Sequence, residues 1–199
     1  MQLPQPKIVD SKFVKTVSPI ANGAFDLISF QRENDRHEFI SSKSNHILVI
    51  PFERTAENTI KSIYAVESSS LVSDESTISL ISDSVNSSKD QTPYDAVCRA
   101  LIEEAGLNID ELGLSEDDIF YLGKVTMNVP VSAKFKCYAV DLSKLSGPNP
   151  IEFTRALSKS KLTRDDSKIV KLGFHQVVNG DFSDSTILSG AFLLVAYFS

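Results

Sequence analysis

Gln91-Thr92-Pro93-Tyr94-Asp95-Ala96-Val97-Cys98-Arg99-Ala100-Leu101-Ile102-Glu103-Glu104-Ala105-Gly106-Leu107 is the stretch on which the reading of this chain turns. Thr92 is a helix-capping residue, and Pro93 suits the first helical position because its missing N–H has no partner to lose there. Asp95 completes a short-armed capping box, and Gly106 supplies the residue that turns left-handed at the end. Ala96, Val97, Ala100, Leu101 and Ala105 recur with helical spacing, so the pattern predicts a helix over 93–105. On such a helix Glu103 and Glu104 follow position 100 by three and four residues, which carries both towards the side of Ala100. Three carboxylates in that arrangement would suit a hard divalent cation beside a pyrophosphate, and this helix carries two.

Upstream, His46-Ile47-Leu48-Val49-Ile50-Pro51-Phe52 is a continuous apolar run rich in β-branched residues, and Thr59 to Val66 alternates. These read as strands joined through Glu53 to Asn58. Residues 1–45 read as an N-terminal arm with one or two short strands, broken by Pro4, Pro6 and Pro19. Residues 67–90 are serine-rich, and composition allows a loop-like insertion there. Downstream, strands are expected at 119–129 and 133–142, a turn at Gly147-Pro148-Asn149-Pro150, a short helix at 152–163 and a strand at 168–174. A last helix is expected from about Asp184 through Phe192, capped by Ser183 or Asp184. Its continuation to Phe198 reads equally as helix or strand.

The 199 residues, 42% hydrophobic and 23% charged, amount to one core-forming domain with insertions, large enough to fold without disulfides or structural metals. A net charge of -6 excludes a broad cationic face for nucleic acid or anionic membrane. No apolar run approaches the ~20 residues that cross a bilayer, and Met1 to Pro6 lacks the core of a secretory signal. Two cysteines form neither a disulfide framework nor a metal motif. The expectation is a soluble protein, cytoplasmic or part of an intracellularly assembled particle.

With these residues in view, 85–107 resembles a degenerate Nudix box, whose pattern is G-x5-E-x7-R-E-U-x-E-E-x-G-U with U aliphatic. Arg99, Leu101, Glu103, Glu104, Gly106 and Leu107 match at the required spacing. Val85 stands in place of the glycine, Gln91 in place of the first glutamate, and Ala100 in place of the glutamate after the arginine. The segment Ser82 to Asp90, where the family presents a glycine-rich turn, has no glycine. The resemblance implies an α/β fold, a Nudix-like α/β/α sandwich around a mixed β-sheet, with residues 46–199 as the domain. It also implies hydrolysis of nucleoside diphosphate derivatives with Mg²⁺ or Mn²⁺, Glu103 and Glu104 as metal ligands, and Arg99 as the residue that orients the neighbouring glutamate. With alanine at that neighbour, Arg99 is expected to lack its carboxylate. Loss of a ligand and loss of the carboxylate beside it can each cost on the order of 10- to 100-fold in metal affinity or activity.

The expected function is therefore a noncatalytic binding or structural module, with other protein subunits as partners and a large assembly such as a virion as one setting. No cofactor is expected in that case, a nucleotide ligand is possible, and the catalytic and substrate-binding residues are unknown. The alternative is an atypical hydrolase in which Mg or Mn is held by Glu103, Glu104 and a distal acid such as Glu152, Asp165 or Asp166. His37, His46 and His175 lack metal-ligand spacing. Cys98 and Cys137 read as buried thiols, and the serines lack a nucleophile elbow. Lys134, Lys136, Lys159, Lys161, Arg164 and Lys168 read as a solvated cationic surface.

Overall fold

The computed structural model describes residues 14–20, 25–32, 35–42, 45–69, 76–127, 131–145, 168–180, 182 and 184–199. They divide into two compact units, one within Met1–Ser44 and Thr126–Ala133, the other within Asn45–Val125 and Lys134–Ser199. The expected turn at 147–150 and helix at 152–163 lie outside the described residues, as do Glu152, Asp165, Asp166, Lys159, Lys161, Arg164 and Ser183.

The first unit is an antiparallel meander of β1 (Val14–Ile20), β2 (Phe25–Arg32) and β3 (Asp35–Ser42). Val17 faces Ile28 and Ile28 faces Phe39 across the ladders. Ile40 and Ser41 pair in parallel with Val131 and Ser132. Three strands of seven or eight residues thus stand where the sequence suggested one or two short ones.

In the second unit, β4 (His46–Arg54) runs through the middle of a mixed sheet. It pairs antiparallel with β5 (Ile60–Ser69) along its second half and with β7 (Ile81–Ser84) along its first. On its other side it runs parallel to β9 (Val131–Asp141), from His46 opposite Phe135 to Phe52 opposite Asp141. The strand β6 (Ser76–Ser79) and β10 (Lys168–Gly173) pair with β5, and β8 (Ile119–Met127) with β9. Covered on both faces, β4 has the apolar continuity of a strand that meets no water. Ile47 and Val49 enter one core, and Leu48, Ile50 and Phe52 enter the other.

Each core is closed by helix. On the first face lies α1 (Pro93–Ala105), where Ala96, Val97, Ala100, Leu101 and Ala105 meet Ile47, Val49, Tyr64 and Ile81. On the second lie α2 (Phe174–Asn179) and α3 (Ser185–Phe198), which contribute Val177, Ile187, Ala191 and Leu194. This is an α/β/α sandwich around a mixed sheet. The tail of α3 continues as helix to Phe198, resolving the helix-or-strand alternative, and Asp184 is its cap, accepting a hydrogen bond from the Thr186 amide at 2.7 Å. Gly190 lets α3 settle against Leu80 and Ile50, where a Cβ would collide with the leucine methyl.

Within the serine-rich segment β5 reaches Ser69, and β6 and β7 form two further short strands. Pairing decides the outcome: Val66 opposite Ser79 and Val49 opposite Ile81 satisfy the backbone, while Leu80 and Ile81 bury their side chains. The ends of α1 match the sequence closely. Thr92 Oγ1 accepts from the Asp95 amide (3.2 Å), Asp95 Oδ2 accepts from the Thr92 amide (2.8 Å), and Gly106 turns left-handed at φ 63°. The Gly106 amide donates to the Ile102 carbonyl at 3.0 Å, the bond of a left-handed cap, and the Leu107 amide reaches the Leu101 carbonyl at 2.9 Å.

Two neighbours on α1 provide a test of this packing. Leu101 is buried in the first core and Ile102 is 45% exposed. Leu101→Ala is expected to cost about 2–5 kcal/mol and Ile102→Ala under about 0.5 kcal/mol, read from urea denaturation midpoints at constant slope.

Candidate functional site

Arg99 leaves α1 from a position one residue before the buried Ala100, so its side chain reaches over the rim of the first core to the strand and turn that precede the helix. There it meets three carboxylates. Its Nε and Nη2 donate to the two oxygens of Asp90 at 3.0 and 2.9 Å, a bidentate fork. Nη1 donates to Asp83 and, at 3.0 Å, to Glu103 Oε2 one turn along the helix. Nη2 also donates to the Ser84 carbonyl at 2.8 Å. All five guanidinium N–H groups are thereby used. The sequence predicts an arginine without its carboxylate partner, and the structure differs: the alanine at position 100 is compensated by Asp83 and Asp90.

The local chain explains why these two reach it. Asp83 lies on β7 opposite Ile47, and the β alternation that turns Ile47 into the first core turns Asp83 to the same face. Asp90 closes a turn in which its Oδ2 accepts from the Asn86 amide at 2.7 Å while its own amide donates to the Asn86 carbonyl at 2.7 Å. Asn86 Oδ1 also accepts from the Ser88 amide at 3.1 Å, an Asx turn that does the work of the missing glycines. Val85, at the glycine position of the box, packs partly buried against the first core. Hydrogen bonds from Arg99 hold the Asp90 carboxyl below the ordinary carboxylate range against the opposing effect of burial, with the Asn86 amide assisting.

Of the sequence-named residues, Glu103 and Glu104 both lie on α1, but they face different surroundings. Glu103 is engaged by Arg99. Glu104 lines a cleft of about 130 Å³ whose walls include Ser68, Ser79, Ile81 and Ser82. Ala100 is wholly buried and Gln91 is exposed. Among the described residues, no three His, Cys, Asp or Glu side chains are grouped to hold a metal ion. A divalent ion at Glu103 and Glu104 would need further donors, and competition with Arg99 for Glu103.

Other candidates resolve as structure. Burial raises the Cys98 thiol, hydrogen-bonded to Tyr94, and pushes that of Cys137 up to about 11, so neither is a ready thiolate. His46 packs against Phe135 with ring centroids 5.3 Å apart, and His175 is exposed. Lys168 pairs with Glu67 at 3.1 Å, and Lys134 and Lys136 lie on β9. His37 lies on β3. Sequence reasoning missed Asp83 and Asp90, although Asp90 stands one residue before the position at which the box carries its first glutamate. It also missed a buried cluster across β4, β5 and β10. There Glu53 accepts from Lys171 Nζ at 2.8 Å on each oxygen, from Ser62 Oγ at 3.3 Å and from the Tyr64 hydroxyl.

No protein-family model and no curated protein matches the sequence. Solved structures do match in fold. A crystal structure titled ADP compounds hydrolase aligns with TM-score 0.55 and 14% identity, over 94% of this chain and 94% of that one. The NUDIX domain of Shewanella oneidensis NrtR, complexed with ADP ribose, aligns with TM-score 0.55 and 10% identity, over 79% and 90%. A structure of S. oneidensis NrtR gives 0.51 and 12%, over 78% of this chain and 64% of that one.

The Arg99 cluster makes the molecule acid-sensitive in a defined window. Because the folded carboxyl of Asp90 titrates below its unfolded value of about 3.9, its stabilisation is complete above roughly pH 4 and is lost as pH falls through the folded value. Asp90→Asn is expected to flatten that acid limb of a stability profile. Arg99→Leu, which leaves buried Asp90 unpaired, is expected to cost about 3–5 kcal/mol near neutrality by urea denaturation.

Proposed function

We propose that this chain, whose fold is the Nudix α/β/α sandwich, is a noncatalytic module that keeps the scaffold and binds rather than cleaves. The observation that carries this reading is the state of α1. Its core-facing and capping positions are those of the box, whereas Ala100 sits wholly buried where the box has a glutamate, and Glu103 is tied to a guanidinium that also holds Asp83, Asp90 and the Ser84 carbonyl. Packing positions have been retained while a position that only chemistry requires has become part of the core.

The ligand proposed is a nucleoside diphosphate derivative. The complex of the NrtR NUDIX domain with ADP ribose supports that choice, as does the serine-lined cleft beside Glu104. Hydroxyls and a single carboxylate suit sugar hydroxyl groups better than a pyrophosphate, which favours cations or bare backbone amides. Other protein subunits, including those of a large assembly such as a virion, are the second class of partner in this proposal. The mass of the purified chain in solution tests that setting: a stable monomer argues against obligatory incorporation.

One observation favours a second reading, an atypical hydrolase: the ADP compounds hydrolase shares the fold over 94% of both chains, and Glu103 and Glu104 keep their places. In that reading the two glutamates hold Mg²⁺ or Mn²⁺ together with a distal acid.

The two readings part in a turnover assay over nucleoside diphosphate derivatives with Mg²⁺ or Mn²⁺. No metal-dependent turnover is expected. Turnover that Glu104→Gln abolishes would replace the first reading by the second. ADP-ribose is expected to stabilise the protein without being consumed, by about 2.7 kcal/mol at roughly 100 times the dissociation constant, or a midpoint shift of about 5–10 °C. Restoring the glutamate with Ala100→Glu is expected to lower stability by about 3 kcal/mol or more without creating activity, because it forces a carboxylate into a closed apolar site.

A further inference from the structure

The face of α3 that turns away from the sheet carries an apolar row the second core does not use. Ile187, Ala191, Leu194 and Phe198 follow one another at steps of four, three and four residues and pack inward. Displaced by one residue, Leu188, Phe192, Val195 and Ser199 repeat the same steps on the adjacent flank. Leu188 is 46%, Phe192 74% and Val195 37% exposed. No charged residue occurs from Ser185 to Ser199. Steps of four and three are the spacing of a helix–helix seam, in which side chains of one helix enter gaps of another.

Beside this row lies a groove of about 340 Å³, walled by the apolar Ile60, Phe174, Val195 and Phe198 together with Asn58, Thr59 and Ser199. The protruding Phe192 and the groove therefore occupy one patch, about a turn apart on one helix. That arrangement is self-complementary. If two copies of α3 run antiparallel with a two-fold axis between positions 192 and 195, Phe192 of each faces Val195 of the other, and Leu188 of each faces Ser199. Each Phe192 then meets the groove of its partner, as an isologous interface requires: residue i touches j, and j touches i. A groove of this size is ample for one phenyl ring.

We infer that this chain forms a two-fold homodimer through α3, in which Phe192 of each copy fills the groove at Val195 and Phe198 of the other. The interface is small. Its exposed row and groove walls offer on the order of 400 Å² per copy, so a pair buries roughly 800 Å², below the ~1,000 Å² of a stable specific interface and within the range of transient contacts. Association is accordingly weak and concentration-dependent, with a dissociation constant on the order of tens of micromolar. The inference is independent of whether the α1 site binds or cleaves a nucleotide, so the two can fail separately.

Sedimentation velocity on the full chain over roughly 5 to 500 µM tests it, with the mass expected to rise from one copy to two across that range. Phe192→Asp is expected to weaken association at least ~30-fold with an unchanged circular dichroism spectrum, since the side chain it replaces is mostly in water. Ser189→Asp, off the row, leaves it intact. A wild-type chain that stays monomeric throughout, or a dimer indifferent to Phe192→Asp, overturns the inference. Orientation is read by cross-linking: a mixture of Phe192→Cys and Val195→Cys is expected to yield more linked dimer than either variant alone, above the background of the native cysteines. Equal yields overturn the antiparallel pairing.

Discussion

The guanidinium of Arg99 places every one of its donors on an acceptor, and those acceptors come from three separate pieces of chain: β7, the turn that leads into α1, and α1 itself. A planar fork of five N–H groups is matched by few arrangements of the backbone, so satisfying it fixes the segment 83–90 against the helix more firmly than a glycine-free loop would otherwise be held. Asp90, almost fully buried, makes the constraint reciprocal, because its charge is tolerable only with the arginine in place. The same contact has a chemical cost. An arginine that keeps Glu103 for itself and sits among carboxylates supplies the positive charge that a divalent ion would otherwise bring.

The sheet gives this cluster its footing. With β4 buried on both faces and α1 packed over Ile47 and Val49, apolar contact locates the helix, and Ala100 contributes to that contact. A methyl group in this position packs; a carboxylate would need a cation or a donor beside it. At this position the helix therefore contributes core area rather than a polar group. On the other face of β4, Leu48, Ile50 and Phe52 receive α3 in the same way, and Gly190 allows the approach.

How far the sequence could be read depended on whether local chemistry or distant pairing decided each element. The helix 93–105 was fully specified by its neighbours: Thr92, Pro93, Asp95 and Gly106 each act within a turn of their own position, and the structure has the same bounds. The run 46–52 announced its burial through composition alone. By contrast, β6 and β7 are made of serines with a few isoleucines, and only edges offered by β5 and β4, far away in sequence, turn them into strands. Asp83 was invisible for the same reason: its role follows from a register that brings Ser82 opposite Leu48 and Asp83 opposite Ile47, and nothing within the local sequence states that register. Asp90 is placed by its own turn through Asn86. The arginine was found, but its partners were sought on its own helix rather than on the strand and turn before it.

The last helix shows the opposite relation between sequence and packing. Its apolar content is higher than one buried face consumes: an inward row of Ile187, Ala191, Leu194 and Phe198 accounts for its place in the core, and a second row one residue along has no such duty within this chain's described contacts. Helices that face water on one side alternate apolar with charged residues, whereas this one carries no charge over fifteen positions. Exposed leucine or valine taken singly requires no explanation, because folded surfaces are more than half apolar. A row in seam spacing, ending beside a groove shaped for its own most exposed ring, is a different matter: the spacing is a geometric property of helix pairs, and the groove supplies the complementary half. The two helices thus differ: α1 spends its polar residues on ion pairing with the strand and turn before it, while the apolar surface of α3 exceeds what the second core takes up.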